Sequence, residues 1–299
     1  MIRTVAPAKI NWTLEVLGRR DDGYHDVRTV MQTVDLCDEL SVGTAGSLTI
    51  ARNLDVYAPD DEDLMLRAAR ALAAAFGREA EAAISVTKRV PAAAGLGGGS
   101  SDGAATLRVL DRLWETEATA DRLLEIAAEL GSDVPFFLHG GTALGEGRGE
   151  RITPLTDVGA TSLVILVPPL TISEKTRRMY AALRPGDFTK GSHADDFVAQ
   201  LAPGRSVAGL PLFNAFERAA YESFDGLAFF RDLLVQAGAP SVHVCGAGPA
   251  LFCVASGESE ARAIRSRVAR VLRGEKVHVV RTLAAAESTA VWSDGEASG

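Results

Sequence analysis

Pro91-Ala92-Ala93-Ala94-Gly95-Leu96-Gly97-Gly98-Gly99-Ser100-Ser101-Asp102 lies between two runs of different periodicity. Before it, residues 83–90 (AISVTKRV) read as a strand; after it, Gly103–Trp114 carries apolar residues at helical spacing. Four glycines remove the Cβ atoms that would hold a phosphate away from the backbone. The helix start that follows leaves N–H groups without intrahelical partners, and its dipole favours an anion there. Ser100 and Ser101 add hydroxyls within reach of a phosphate oxygen or a bridging metal. A glycine-rich turn with a serine cap is the plainer alternative. No Gly-Lys-Ser/Thr follows, which excludes a Walker A loop, and the glycine spacing fits a dinucleotide fingerprint poorly.

The rest of the chain sets bounds on that cradle. With 299 residues, 47% of them hydrophobic, it can bury a full core, and the length favours two domains. A net charge of −8 argues against a nucleic-acid partner. No apolar run reaches the roughly 20 residues of a membrane span, and the N-terminus lacks a signal-peptide pattern. Three cysteines without metal-ligand spacing suit a reducing cytoplasm.

Residues 8–16 alternate strictly. Ile10, Trp12, Leu14 and Val16 fall on one face of a strand, Lys9, Asn11, Thr13 and Glu15 on the other. Lys9 and Asn11 thus point the same way, about 7 Å apart, either into solvent or into a site. Asp22-Gly23 signals a hairpin, with Tyr24 and His25 directly after it and a returning strand over 27–40. Helices are predicted over 62–76 and 120–130, each closed by glycine. Asp133, two residues before Pro135, is either the N-cap of a short helix or a functional carboxylate. The glycine-rich stretch 140–150 reads as a mobile rim, with a domain boundary just beyond it, giving domains 1–155 and 156–299. In the second half the pattern is strand 162–167, helix 173–183, helices within 213–237, strands 241–245 and 250–255, helix 258–273 and strand 276–281. Collapsed, that is the β-α-β-β-α-β order of a ferredoxin-like unit, with a second glycine turn, Cys245-Gly246-Ala247-Gly248-Pro249, between its middle strands. The last dozen residues are small and polar and are expected to fray.

Five stretches together resemble one family, the 4-diphosphocytidyl-2-C-methyl-D-erythritol kinases of the GHMP kinase superfamily. They are Ala6–Asn11, Arg20–His25, Pro91–Asp102, Gly131–Phe137 and Cys245–Pro249, in family order and across nearly the whole chain. The resemblance implies an α+β, two-domain fold, a ribosomal-protein-S5-domain-2-like first domain followed by a ferredoxin-like second. It implies transfer of the ATP γ-phosphate to the 2-hydroxyl of a cytidine-diphosphate alcohol in the non-mevalonate isoprenoid pathway. Lys9 and Asp133 are then the catalytic pair. Lys88, Pro91, Gly95, Leu96, Gly97, Gly98, Gly99, Ser100 and Ser101 surround ATP, with Ser100 also a candidate magnesium ligand. Asn11, Thr176, Gly246 and Gly248 face the second substrate. Tyr24 stacks on its cytosine, His25 bonds the base edge, and Tyr180 covers the other face. The partners implied are these small molecules, in a cytoplasmic monomer or homodimer.

Several residues depart from the family pattern. Cys245 and Ala247 replace two serines, Ala215 replaces a common Asp, and Ala93 stands where glycine or another small residue is usual. Asp63 and Asp111 occupy positions where the family carries Asn near adenine. A carboxylate accepts but cannot donate, so two of them there would suit the paired donors of guanine and relax the purine preference. A GHMP kinase for another small alcohol, and a non-catalytic nucleotide-binding relative, are the alternative readings; the second leaves an intact Lys9–Asp133 pair without a purpose.

Overall fold

The computed structural model describes residues 1–53, 63–272 and 276–293. The first residue of the expected 62–76 helix, the last of the 258–273 helix and the tail from 294 onward lie outside these. The first half contains β1 (Ile2–Arg19), β2 (His25–Gly43), β3 (Thr49–Arg52), α1 (Leu64–Ala75), β4 (Ala83–Thr87), α2 (Gly98–Trp114), α3 (Ala120–Leu130), α4 (Val134–His139), β5 (Thr142–Gly147) and β6 (Arg151–Pro154). The second half contains β7 (Ser162–Val167), α5 (Lys175–Ala181), α6 (Ser192–Ala199), β8 (Phe213–Asn214), α7 (Glu217–Ser223), α8 (Leu227–Gln236), β9 (His243–Val244), β10 (Leu251–Val254), α9 (Glu258–Val268), β11 (Lys276–Arg281), α10 (Ala285–Ser288) and β12 (Val291–Ser293).

β1 and β2 form a long antiparallel hairpin around which the first sheet is built, in the order β12-β1-β2-β4-β3. β5 and β6 extend it along the other half of β2. The stretch 140–150 is therefore a paired hairpin rather than a mobile rim. β2 is long enough to hold β4 at Glu39–Gly43 and β5 at Val27–Gln32 on one edge. A Cβ at Gly145, opposite Thr29, would fall 2.8 Å from the mobile end of the Met31 side chain and 3.2 Å from Gly149 O. Part of the stretch expected to fray is instead a strand, because Val291–Ser293 pairs with Ile2–Thr4, and the part from 294 onward lies outside the described residues. The last described strand thus lies beside the first.

Helices α1–α4 cover one face of this sheet over a core that includes Leu72, Leu110, Phe136 and Phe137. Arg108, buried on α2, donates to Phe137 O on α4 (2.6 Å) and to Val5 O on β1 (3.1 Å), locking the three elements together. The second sheet is antiparallel in the order β11-β7-β10-β9, the strand order of a ferredoxin-like unit, with α7, α8 and α9 packed on it. A third core cluster joins the halves: Ile10, Trp12, Val30 and Val34 of the hairpin meet Leu163, Ile165 and Phe252. Trp12 stacks on Phe197 and meets Phe252 edge-on. Both faces of β1 are thus buried, including the polar one: Lys9 is 5% exposed, Asn11 3%, Thr13 and Glu15 0%. Glu15 is satisfied there by the backbone N–H groups of Gly191 and Ala194, so its carboxylate holds the start of α6. Among the described residues no helix is long and apolar enough to cross a membrane.

Candidate active site

Three turns meet above the polar face of β1. Lys9 N donates to Leu96 O (2.9 Å), which ties the first strand to the glycine loop. Ala250 N donates to Ala94 O (3.1 Å), which ties the loop to the turn after β9. The contact is backbone on backbone. At Gly95 (φ +90°) a Cβ would lie 2.0 Å from Cys245 O, and at Gly97 (φ +74°) 2.7 Å from the Phe137 ring and 3.0 Å from Lys9 Cγ. These two glycines are demanded by close approach as well as by conformation. Gly246 completes the enclosure, its missing Cβ direction pointing at Gly95 O and Lys9 Nζ. Asn214 holds that turn through Nδ2, donating to Val244 O and Gly246 O at 2.8 Å each.

Lys9 Nζ donates to Asn11 Oδ1 (2.9 Å), and Asn11 Nδ2 donates to Thr29 Oγ1 (2.7 Å), which in turn donates to Thr13 O. The alternation of β1 does place Lys9 and Asn11 together, and the face they share is the floor of the site. On its open side Lys9 Nζ lies 3.7 Å from Asp133 Oδ2. Asp133 stands at the N-cap position of α4, yet its side chain makes no capping hydrogen bond. Its carboxylate, 38% exposed, turns to the buried ammonium instead.

The helix after the glycine loop begins earlier than periodicity suggested. Gly97 is its cap and Ser101 N already bonds Gly97 O (2.9 Å), so Gly98, Gly99, Ser100 and Ser101 form the first turn of α2. The N–H groups of Gly98, Gly99 and Ser100, which precede the first intrahelical bond, are the anion site expected of this stretch. Pro91 and Leu96 are buried beneath it. Ser101 Oγ and Asp102 Oδ1 are buried without a hydrogen-bond partner among the described residues.

Lys88 lies one layer below. Its ammonium is held between Asp38 on β2 and Asp102 on α2, and Asp38 also accepts from Val90 N (2.8 Å). Burial alone would lower the Lys88 pKa, but the two carboxylates outweigh it and raise it. Asp102 is pushed up to about 8 by burial and by the charge of Asp38, against the pull of Lys88. Lys88 therefore supports the helix start, with its charge already engaged.

Asp63 caps α1, accepting from Met65 N (2.8 Å) and Leu66 N (3.2 Å), while its second oxygen meets Arg52 Nη2 at 2.5 Å. Both oxygens are occupied. Asp111 is 13 residues beyond Gly98 on the same helix, about 20 Å away. There it accepts from Thr116 Oγ1 and Ala118 N and closes the turn toward α3. The structure does not bring Asp111 to the glycine loop, and it engages both oxygens of Asp63 with the start of α1 and with Arg52. The expected relaxation of purine preference loses its physical basis.

At the far end of the β1–β2 hairpin, Tyr24 is 56% exposed, with the Arg148 guanidinium 5.0 Å from its ring centroid. His25 stacks on Tyr180 at 4.6 Å between centroids and lies parallel to Phe188 at 6.2 Å. The expected slot between a base and Tyr180 is therefore filled by His25 itself, because rings at this spacing are already in contact. Burial, then the charge of Arg19, lowers the His25 pKa, so the ring is neutral at pH 7. Tyr180 is pushed up to about 12 by burial and by the charge of Asp133, which ties the two ends of the site electrostatically. Thr176 is exposed on α5, whereas its neighbour Lys175 reaches inward to Ala93 O (2.8 Å) and Gly248 O (2.7 Å). Sequence reading missed Lys175, Asn214, Thr29 and Asp38. Only Asp102, inside the quoted loop, carried a local signal.

Of the departures, Cys245 is fully buried and its thiol is pushed up to about 12 by burial, so it stays protonated and adds no charge. Ala215 is buried and packs in the second core.

Two segments match known families by description: GHMP kinases N terminal domain over residues 63–141, and GHMP kinases C terminal over residues 204–274. A protein of Dehalococcoides mccartyi named 4-diphosphocytidyl-2-C-methyl-D-erythritol kinase is 39% identical over 284 residues, 95% of this chain and 99% of that one. The chain belongs to this family of GHMP kinases. A relative of the same name from Pelotomaculum thermopropionicum is 40% identical over 285 residues, covering 94% of this chain and 98% of its own. A solved 4-(cytidine 5'-diphospho)-2C-methyl-D-erythritol kinase superposes with a TM-score of 0.78 at 33% identity, over 94% of this chain and 98% of that one. Homoserine kinase from Cytophaga hutchinsonii, at 14% identity and a TM-score of 0.69, shares the fold over 98% of this chain and 97% of that one. As a member of this family the chain is an ATP-dependent small-molecule kinase.

Proposed function

We propose that the chain transfers the γ-phosphate of ATP to the 2-hydroxyl of 4-diphosphocytidyl-2-C-methyl-D-erythritol. One observation carries the reading: Asp133 leaves its helix uncapped and sets its carboxylate against Lys9, beside the glycine loop. A base that takes the alcohol proton needs that exposure on one side and a cation on the other. The proton passes to Asp133, the alcohol oxygen bonds to phosphorus, and the bond from phosphorus to the ADP oxygen breaks. Lys9 offsets the developing charge, and the N–H groups of Gly98, Gly99 and Ser100 hold the phosphates. The protein's part is placement and charge, since the transition state asks for little covalent help.

Among the described residues no cluster of three His, Cys, Asp or Glu could hold a metal alone. The unpartnered Ser101 Oγ shows that the helix start has hydroxyl capacity to spare for a magnesium ion that arrives on the ATP phosphates. Ser100, half-exposed on the same turn, is the hydroxyl we assign to it. That ion neutralises phosphate charge when bound.

Asn11 orients the alcohol from the floor, with Gly246 and Gly248 forming its wall. Tyr24 supplies a stacking face for cytosine and neutral His25 a hydrogen-bonding edge, backed by Tyr180 and Phe188. The relatives' shared name supports this substrate. The test is an ADP-release assay with ATP and diphosphocytidyl-methylerythritol, beside mevalonate and homoserine. Turnover confined to the cytidine compound supports the reading; turnover on either other alcohol instead overturns it.

A further inference from the structure

Lys175 opens α5 and belongs to none of the roles above. Its ammonium donates to Ala93 O (2.8 Å), on the glycine loop, and to Gly248 O (2.7 Å), on the turn between β9 and β10. These two turns make the tightest backbone approach in the site, at Gly95 against Cys245 O. Ala93 holds a left-handed φ of +54°, a conformation a residue with a Cβ resists, so the loop is kept in place by its partners. A side chain that binds one carbonyl on each turn fixes their separation, and with it the distance from the helix start to Lys9. We propose that Lys175 is a positioning residue for phosphoryl transfer, an ammonium clasp that holds the phosphate loop against the third glycine turn. The inference rests on the kinase reading.

The groups that face the clasp are Lys9 from β1, Asp133 from the start of α4 and Cys245 from the turn after β9. On its own segment Glu174 is paired with Arg177. Burial first, then repulsion from Lys9, lowers the Lys175 pKa to about 8, against the pull of Asp133. Cys245 and Tyr180, both pushed up to about 12, do not titrate in the same range. The clasp is thus charged at pH 7 and loses its charge on moderate alkalinisation.

The experiment compares the full chain with Lys175→Met and Lys175→Arg across pH 6–9.5. It reads kcat, both KM values, ATP affinity by calorimetry and the melting temperature. Loss of the clasp in Lys175→Met should lower kcat by about 10²-fold, the cost of a misplacement near 1 Å. ATP affinity should fall about tenfold, as expected for a lost charge-assisted contact, while KM for the cytidine substrate stays within about threefold. In the native enzyme kcat should decline above pH 8. Lys175→Arg, whose guanidinium stays charged, should keep most activity and lose that alkaline limb. A Lys175→Met enzyme with native kcat and ATP affinity overturns the inference. So does a lowered melting temperature with normal kcat per folded molecule, or a Lys175→Arg profile that declines as the native one does. Should the native enzyme phosphorylate none of the alcohols tested, the substrate reading fails, and ATP affinity in Lys175→Met still decides the clasp.

Discussion

The two ends of the β1–β2 hairpin are built on opposite terms. Around Lys9, three chain segments are pinned to one another by backbone hydrogen bonds, and glycines are required where a Cβ would strike backbone or a buried ring. Around Tyr24 the hairpin tip is a local turn closed by its own hydrogen bonds, a Cβ on its glycine would meet nothing, and its longer-range contacts are a guanidinium over a ring and a stack of three aromatic side chains. The difference follows from what each end must do. Phosphoryl transfer gains rate from placement, which only an over-determined backbone supplies. Recognition of a base gains affinity from exposed π-faces and edges, which tolerate small movements.

Paired substitutions can break that comparison. Gly95→Ala and Gly23→Ala impose the same change at nearly equal φ, +90° and +86°. At Gly95 the new Cβ meets Cys245 O at 2.0 Å, whereas at Gly23 it meets nothing within 4 Å. Gly95→Ala should therefore cut turnover by about 10²-fold or more and destabilise the fold by about 1–3 kcal/mol. Gly23→Ala should cost only about 1 kcal/mol of stability with native turnover. Equal losses in kinetic and melting assays would mean that conformation alone, and not close approach, governs the loop.

A smaller effect is expected at the open end. Tyr24→Ala should raise KM for the cytidine substrate about fivefold, as for about 1 kcal/mol of lost stacking, and leave KM for ATP and the melting temperature unchanged. Matched weakening of both substrates would show that the tip supports structure and does not read the base.

The smallest effect is expected one layer below the loop, and on stability. Asp102 binds its proton more tightly in the fold than in the unfolded chain, where a carboxyl titrates near about 4. Its contribution to stability is therefore fully present below that value and is lost as pH rises toward about 8. Urea unfolding at pH 5 and pH 8 should show a native enzyme that weakens with pH and an Asp102→Asn variant in which the change is smaller. Identical changes in both would remove Asp102 as the cause.

What could be read from sequence was local. Lys9 and Asn11 are two residues apart on a strand, and the glycines of the loop are adjacent, so periodicity and spacing placed them. Lys88 finds Asp38 across 50 residues and Lys175 finds Gly248 across 73, separations no pattern in the chain encodes. Lys175 also stands among Glu174, Arg177 and Arg178, where a solvated helix face is the natural reading. Composition misled at 140–150, because the glycines that suggest mobility lie in and beside strands held by ladder hydrogen bonds to β2 and to each other. Asp111 misled because a family position carried over in sequence lies a helix-length away in space.

Asp133 tests the central claim most directly. Its carboxylate caps nothing and faces Lys9, so Asp133→Asn removes the proton acceptor while sparing the fold. Turnover of the purified variant should fall by about 10²–10⁴-fold. Calorimetric affinities for ATP and for the cytidine substrate should stay native, as should the melting temperature. A variant that retains native turnover, or one that loses activity only in proportion to its unfolded fraction, would contradict the assignment of Asp133 as the base.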